Sequence, residues 1–157
     1  MLYCVDIGNT NITIGIYEGE KLGPCWRLAT NHERMPDEFG LQVIGLLNHA
    51  GLSPANITCG AIASVVPPLT EKWIKVFQKY LHCDPLVVDS SVKTGVKILY
   101  DEPHRIGADR IVDAVAVHTQ YGGPACIVDF GTATTFDAIS ANGDYLGGAI
   151  APGIGIA

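Results

Sequence analysis

Two short stretches of this 157-residue sequence place an acid, a glycine and a run of hydroxyl or amide side chains at the end of an apolar segment. The first is Asp6-Ile7-Gly8-Asn9-Thr10-Asn11-Ile12-Thr13, and the second is Asp129-Phe130-Gly131-Thr132-Ala133-Thr134-Thr135. In each, the carboxylate can hold a hydrated divalent cation, the glycine lets backbone N–H groups approach a phosphate, and the side chains add neutral donors. Facing each other across a cleft, such loops would clamp a nucleoside triphosphate. One loop alone reads equally well as a strand-end acid satisfying a tight turn; the pair is the stronger signal. The sequence contains neither G-x-x-x-x-G-K-[ST] nor G-x-G-x-x-G, so neither a P-loop nor a dinucleotide fingerprint is encoded. Its six lysines all lie outside the two loops. Phosphate charge would therefore be met by Mg²⁺, backbone N–H groups and hydroxyls.

A third constellation runs from Tyr100 to Arg110. Gly107 permits close backbone approach, Asp109 falls in the first turn of an expected helix, and Arg110 follows it. A carboxylate there suits a general base taking a proton from an acceptor hydroxyl, and Arg110 could fix an acidic substrate. The plainer reading is that Asp109 offsets the helix dipole and Arg110 pairs with Asp113 at i,i+3.

The elements that must position these residues follow from periodicity. Residues 2–7 are an apolar run, 11–17 alternate toward a turn at Glu18-Gly19-Glu20, and a third strand follows near 21–29, so the chain opens as an antiparallel meander. Pro36-Asp37-Glu38 starts a helix that should end at Gly51. Residues 57–66 read as a buried strand, Pro67-Pro68 opens a helix carrying Leu69 to Leu81, and 85–89 is a short strand. The switch from meander to alternating strands and helices implies a mixed α/β sheet. Residues 107–121 form a further helix. After Gly122-Gly123-Pro124, residues 126–131 (CIVDFG) restate 3–8 (YCVDIG), again with a Thr-rich turn, a strand and a Gly turn at Asn142-Gly143. That offset is far longer than a solenoid period and reads as a domain repeated once, its second copy only begun. Residues 125–157 supply strands but no helix to cover them, so a C-terminal portion is expected to be missing.

The net charge of −6 and an apolar content of 48% exclude a disordered tail and a basic nucleic-acid arm. No signal peptide or membrane span is expected, and the reading is cytosolic. The 5 cysteines form no C-x-x-C and are expected to be buried thiols, and the 5 histidines lack ligand spacing.

Taken together, the motifs resemble type III pantothenate kinases. They are Asp6 to Asn11, Ala63-Ser64-Val65-Val66-Pro67, Lys93-Thr94-Gly95, Gly107-Ala108-Asp109-Arg110, Asp129 to Thr135, and Gly147-Gly148-Ala149-Ile150-Ala151-Pro152-Gly153, in family order over nearly the whole chain. The resemblance implies an α/β fold with a ribonuclease-H-like domain of the acetate and sugar kinase/Hsc70/actin superfamily. That domain would be duplicated, with a first copy over 1–122 and a truncated second copy over 123–157. By the same resemblance, Asp6, Ile7, Gly8, Asn9, Thr10, Asn11, Ile12, Thr13 and Thr132 contact ATP, and Asp129 holds a monovalent cation (K⁺ or NH₄⁺). Tyr100, Gly107, Ala108, Asp109 and Arg110 match the pantothenate site, with Asp109 as proton acceptor. The implied reaction converts ATP and pantothenate to ADP and 4′-phosphopantothenate, with Mg²⁺ on the phosphates, as the first step toward coenzyme A. A homodimer is implied, with no nucleic acid or membrane partner. Two other readings compete. One is a regulatory protein that kept the nucleotide cleft and lost catalysis, since the family's bacterial relatives include a factor associated with transcriptional activation. The other is a sugar or acetate kinase of the same superfamily. This 157-residue chain alone is expected to be inactive or weakly active.

Overall fold

The computed structural model describes residues 1–155. The chain divides into two compact units, Met1–Val87 and Val88–Ala157.

In the first unit, β1 (Leu2–Ile7), β2 (Asn11–Glu18) and β3 (Lys21–Ala29) form the antiparallel meander, and β4 (Cys59–Ser64) and β5 (Pro85–Val87) extend it in parallel. The strand order β3-β2-β1-β4-β5 is the ribonuclease-H-like arrangement. Two parallel pairings need crossovers, and these are supplied by α1 (Pro36–His49) and α2 (Pro67–Val76). Both helices begin on proline, whose fixed φ and missing N–H suit a first helical turn. One π-helical turn, Phe77–Leu81, prolongs α2, and His82 in the left-handed region (φ 55°) ends it. The alternation in β1 and β2 sends Tyr3, Val5, Ile7, Ile12, Ile14 and Ile16 to one face. There they join Phe39, Val43 and Leu47 of α1 and Leu69, Trp73 and Val76 of α2 in a single buried cluster. Each such side chain contributes about 1.5–3 kcal/mol on burial, so this face holds the unit together.

The second unit repeats the meander as β6 (Ala125–Phe130), β7 (Ala133–Ile139) and β8 (Tyr145–Pro152) in the order β6-β7-β8. The expectation that 125–157 contains no helix agrees with these strands, but the sheet is not bare on both sides. The preceding helix, α3 (Ala108–Tyr121), packs against β6 and β7. Its Ala114 joins Ile139 and Tyr145 in a small core with Val96, Ile98, Ile106, Ala125 and Ile127. The repeat draws a boundary at 122/123, whereas packing groups α3 with the sheet that follows it.

The cysteines differ from expectation: Cys25, Cys59 and Cys126 are exposed, and Cys4 and Cys83 are half-buried. Within this chain Cys25 and Cys126 lie on strand faces that no helix covers, so apolar character alone did not bury them. No helix among the described residues is long and apolar enough to cross a membrane.

Candidate active site

The first loop is a tight reversal between β1 and β2. The Gly8 N–H donates to the Asn11 carbonyl at 2.9 Å, and a Cβ on Gly8 would lie only 3.1 Å from that oxygen, so a side chain would crowd the turn. Thr30, just past β3, ties the loop down: its Oγ1 donates to the Gly8 carbonyl at 2.7 Å and its N–H to the Thr10 carbonyl at 2.9 Å. Asp6 is exposed and pairs in register with Thr13, while Asn9 and Thr10 are exposed at the tip. Ile7 and Ile12 are fully buried in the core, so they can serve a ligand through the backbone only.

The second loop is closed in the same way but is one residue shorter. The Gly131 N–H donates to the Ala133 carbonyl at 2.9 Å, and Asp129 pairs in register with Thr135 as Asp6 does with Thr13. The end of the third strand again holds the turn: Thr134 Oγ1 donates to the Pro152 carbonyl at 3.2 Å, and Gly153 lies against Gly131 and Thr132. Asp129 and Thr132 are exposed.

The acceptor constellation gathers in the second unit. Gly107 is the N-cap of α3, Ala108 is buried, and Asp109 and Arg110 are half-buried in the first turn. The Asp109 Oδ1 accepts the Arg110 N–H at 2.8 Å. The carboxylate thus caps the helix's positive end, as the plainer reading expected. Arg110 has a partner that helical spacing did not suggest. Its guanidinium leaves the helix for β7, donating from Nε to Asp137 Oδ1 at 2.7 Å, with Nη2 in ion-pair contact with the same oxygen at 2.6 Å and donating to the Phe136 carbonyl at 3.3 Å. Burial alone would lower the Arg110 pKa, but the hydrogen bond and charge of Asp137 outweigh it and hold it above its ordinary value. Tyr145 donates its hydroxyl to the same Oδ1 at 2.5 Å, and burial followed by that bond raises its pKa well above that of a free phenol. Tyr100 packs its ring against Gly147, whose φ of +122° suits glycine alone, and the Leu99 N–H donates to the Tyr145 carbonyl at 2.8 Å. Tyr100 and Arg110 therefore both reach the start of β8.

Sequence reasoning singled out Asp109 and Arg110 but passed over Asp137 and Tyr145, and it gave Gly148 no role beyond its place in a motif. The available signal was a lone acid in β7 on the side of the strand that carries Ile139. A charge there needs a partner, because an isolated buried carboxylate is costly.

The type III pantothenate kinase family model matches residues 2–157. The chain is 52% identical over 157 residues to a Moorella thermoacetica type III pantothenate kinase, covering 100% of this chain and 62% of that protein. It is 46% identical over 156 residues to one from Myxococcus xanthus, covering 99% of this chain and 61% of that one. The chain thus spans about three-fifths of the length of these relatives. Among solved structures it resembles a Campylobacter jejuni protein assigned to the Baf family of transcriptional activators, with TM-score 0.53 and 25% identity, covering 98% of this chain and 55% of that one.

Proposed function

The chain belongs to the type III pantothenate kinase family, and from that premise we propose that it carries the phosphate loops and acceptor site of an ATP-dependent pantothenate kinase acting at the first step toward coenzyme A. The observation that carries this reading is the pairing of Asp109, a half-exposed carboxylate at a helix N-terminus, with Arg110, a guanidinium held in one pose. Arg110 binds the pantothenate carboxylate, and Tyr100 and the Gly107–Ala108 backbone line the acceptor's path. Asp109 takes the proton of the 4′-hydroxyl as its oxygen bonds to the γ-phosphorus, the bond to the β-phosphate oxygen breaks, and ADP leaves.

The loops fit ATP and its cations in kind. Each offers an exposed carboxylate at a strand end, a glycine whose N–H closes the turn, and exposed hydroxyl or amide groups at the tip. Asp6, Gly8, Asn9, Thr10, Asn11 and Thr13, with the backbone of Ile7 and Ile12, serve the phosphates, and Thr132 joins them. Mg²⁺ would supply charge neutralisation on the phosphates, and Asp129 would hold the monovalent cation, K⁺ or NH₄⁺. We further propose a cytoplasmic homodimer without nucleic acid or membrane partners, built from repeated copies over 1–122 and 123–157, and little or no activity in residues 1–157 alone.

The Campylobacter jejuni neighbour supports a second reading, a regulatory protein that keeps the nucleotide loops. A net charge of −6 gives a nucleic-acid role little support, and the intact Gly107-Ala108-Asp109-Arg110 favours catalysis. ATP-dependent phosphorylation of pantothenate, measured against glucose, acetate and glycerol in a chain of the relatives' full length carrying residues 1–157, tests the proposal. Transfer to pantothenate alone is expected. Transfer to another acceptor, or to none, overturns it.

A further inference from the structure

One buried carboxylate is unused by the reading above. Asp137 is 1% exposed, and its two oxygens are treated very differently. Oδ1 accepts from Arg110 Nε and the Tyr145 hydroxyl and lies in ion-pair contact with Arg110 Nη2, whereas Oδ2 is buried with no hydrogen-bond partner among the described residues. The hydrogen bond from Nε, the ion-pair contact of Nη2 and the bond of Nη2 to the Phe136 carbonyl together fix the orientation of the planar fork.

The backbone around the pair is shaped for it. Asp137 and Gly148 are cross-strand partners. Regular alternation would put Tyr145, three positions from Gly148, on the opposite face of the sheet. The register slips between Ala138, paired with Gly147, and Ile139, paired with Tyr145. Leu146 is the extra residue of this bulge, and it returns Tyr145 to the side of Asp137 and Gly148. The Tyr145 ring then lies 5.9 Å from the Arg110 guanidinium carbon. Gly148 leaves the remaining space, since a Cβ there would strike the Phe136 carbonyl oxygen and Arg110 Nη2 and would come within 2.7 Å of Asp137 Oδ1. The contacts of Arg110 with Asp137 and with the Phe136 carbonyl run from Nε and Nη2.

We infer that Asp137, Tyr145 and Gly148 are positioning residues that hold the Arg110 guanidinium in the pose that meets the carboxylate of the acceptor. This rests on the proposal that Arg110 anchors pantothenate. A mere staple between α3 and β7 would have a different signature, because loosening the helix would disturb both substrates alike.

The test is steady-state kinetics in a chain of the relatives' full length carrying residues 1–157, with Arg110→Ala, Asp137→Asn, Tyr145→Phe, Gly148→Ala and the Arg110→Ala/Asp137→Asn double variant. Asp137→Asn and Gly148→Ala are each expected to raise the KM for pantothenate about tenfold while the KM for ATP stays within about twofold; Tyr145→Phe, which keeps the ring, is expected to give a smaller rise in the same direction. The double variant is expected to be no worse than Arg110→Ala, since a positioning residue has nothing to position once its client is gone. An equal rise in both KM values, or full addition of the Asp137→Asn effect to that of Arg110→Ala, overturns the inference. Should Asp137→Asn fail to fold, Tyr145→Phe is judged by the same split between the two substrates. If Arg110→Ala by itself leaves the pantothenate KM unchanged, it is the anchor that fails, and that single variant separates this result from a failure of positioning.

Discussion

The two meanders share a register and cover opposite faces. With Asp6 opposite Thr13 and Asp129 opposite Thr135, the face carrying Val5 and Ile14 in the first unit corresponds to the face carrying Val128 and Phe136 in the second. In the first unit α1 and α2 bury that face completely. In the second, Val128, Phe130 and Phe136 are exposed, and α3 packs on the other side, against Ile127 and Ile139. The repeat therefore specifies the hairpin and its acid-glycine turn, while the helices decide which side becomes core. In the second unit the helix-covered side is also the chemical side: it carries Asp137 in the sheet and receives Arg110 from α3.

The largest expected effect sharpens this division. Asp109→Asn, in a full-length chain, lowers kcat by about two to four orders of magnitude, the range for loss of a general base, while ATP binding and thermal stability are retained. Normal turnover would remove Asp109 from the chemistry. Next is the contrast between faces. Trp73→Ala, in the first unit's core, destabilises by about 3–5 kcal/mol. Phe136→Ala, 39% exposed on the second sheet, costs under about 1 kcal/mol in this chain. Urea unfolding of both variants measures the difference, and equal costs would break the comparison.

A smaller effect is expected at Asp129. The cation role proposed for it predicts that Asp129→Ala weakens the response of the rate to added K⁺, and an unchanged response would reassign Asp129 to the turn. Smallest is a difference in thiol chemistry. Burial, reinforced by Cys59, raises the Cys4 thiol pKa, whereas Cys126 is exposed on the second sheet's uncovered face. Because the thiolate is the nucleophile, iodoacetamide near pH 8 modifies Cys126 before Cys4. Protection of Cys126 in this chain would mean that its face is covered.

Much of this layout was legible in the residues. Alternation located β1 to β3 to within a residue, the prolines marked the starts of α1 and α2, and the restated Val-Asp-x-Gly announced the second hairpin. The loops were legible because acid, glycine and hydroxyls act locally. The seat of Arg110 was not, for it depends on a bulge at Leu146 and on a partner in β7, both of which exist only once three strands and a helix have met. Helical spacing suggested Asp113, within the helix, and could not point to a buried carboxylate on a later strand that also needs a charged partner. The cysteines misled for a related reason: apolar character predicts burial only where another layer arrives to provide it.

The proposed function stands on each acid-glycine loop meeting the phosphates of ATP and on Asp109 serving the acceptor. The most direct test adds Mn²⁺-ATP to an isotopically labelled full-length chain and follows paramagnetic broadening of the backbone amides. Selective broadening of Gly8, Gly131 and Asp109 together, reversed by excess Mg²⁺-ATP, is the predicted result. Broadening confined to one loop, with Asp109 unaffected, would contradict the account.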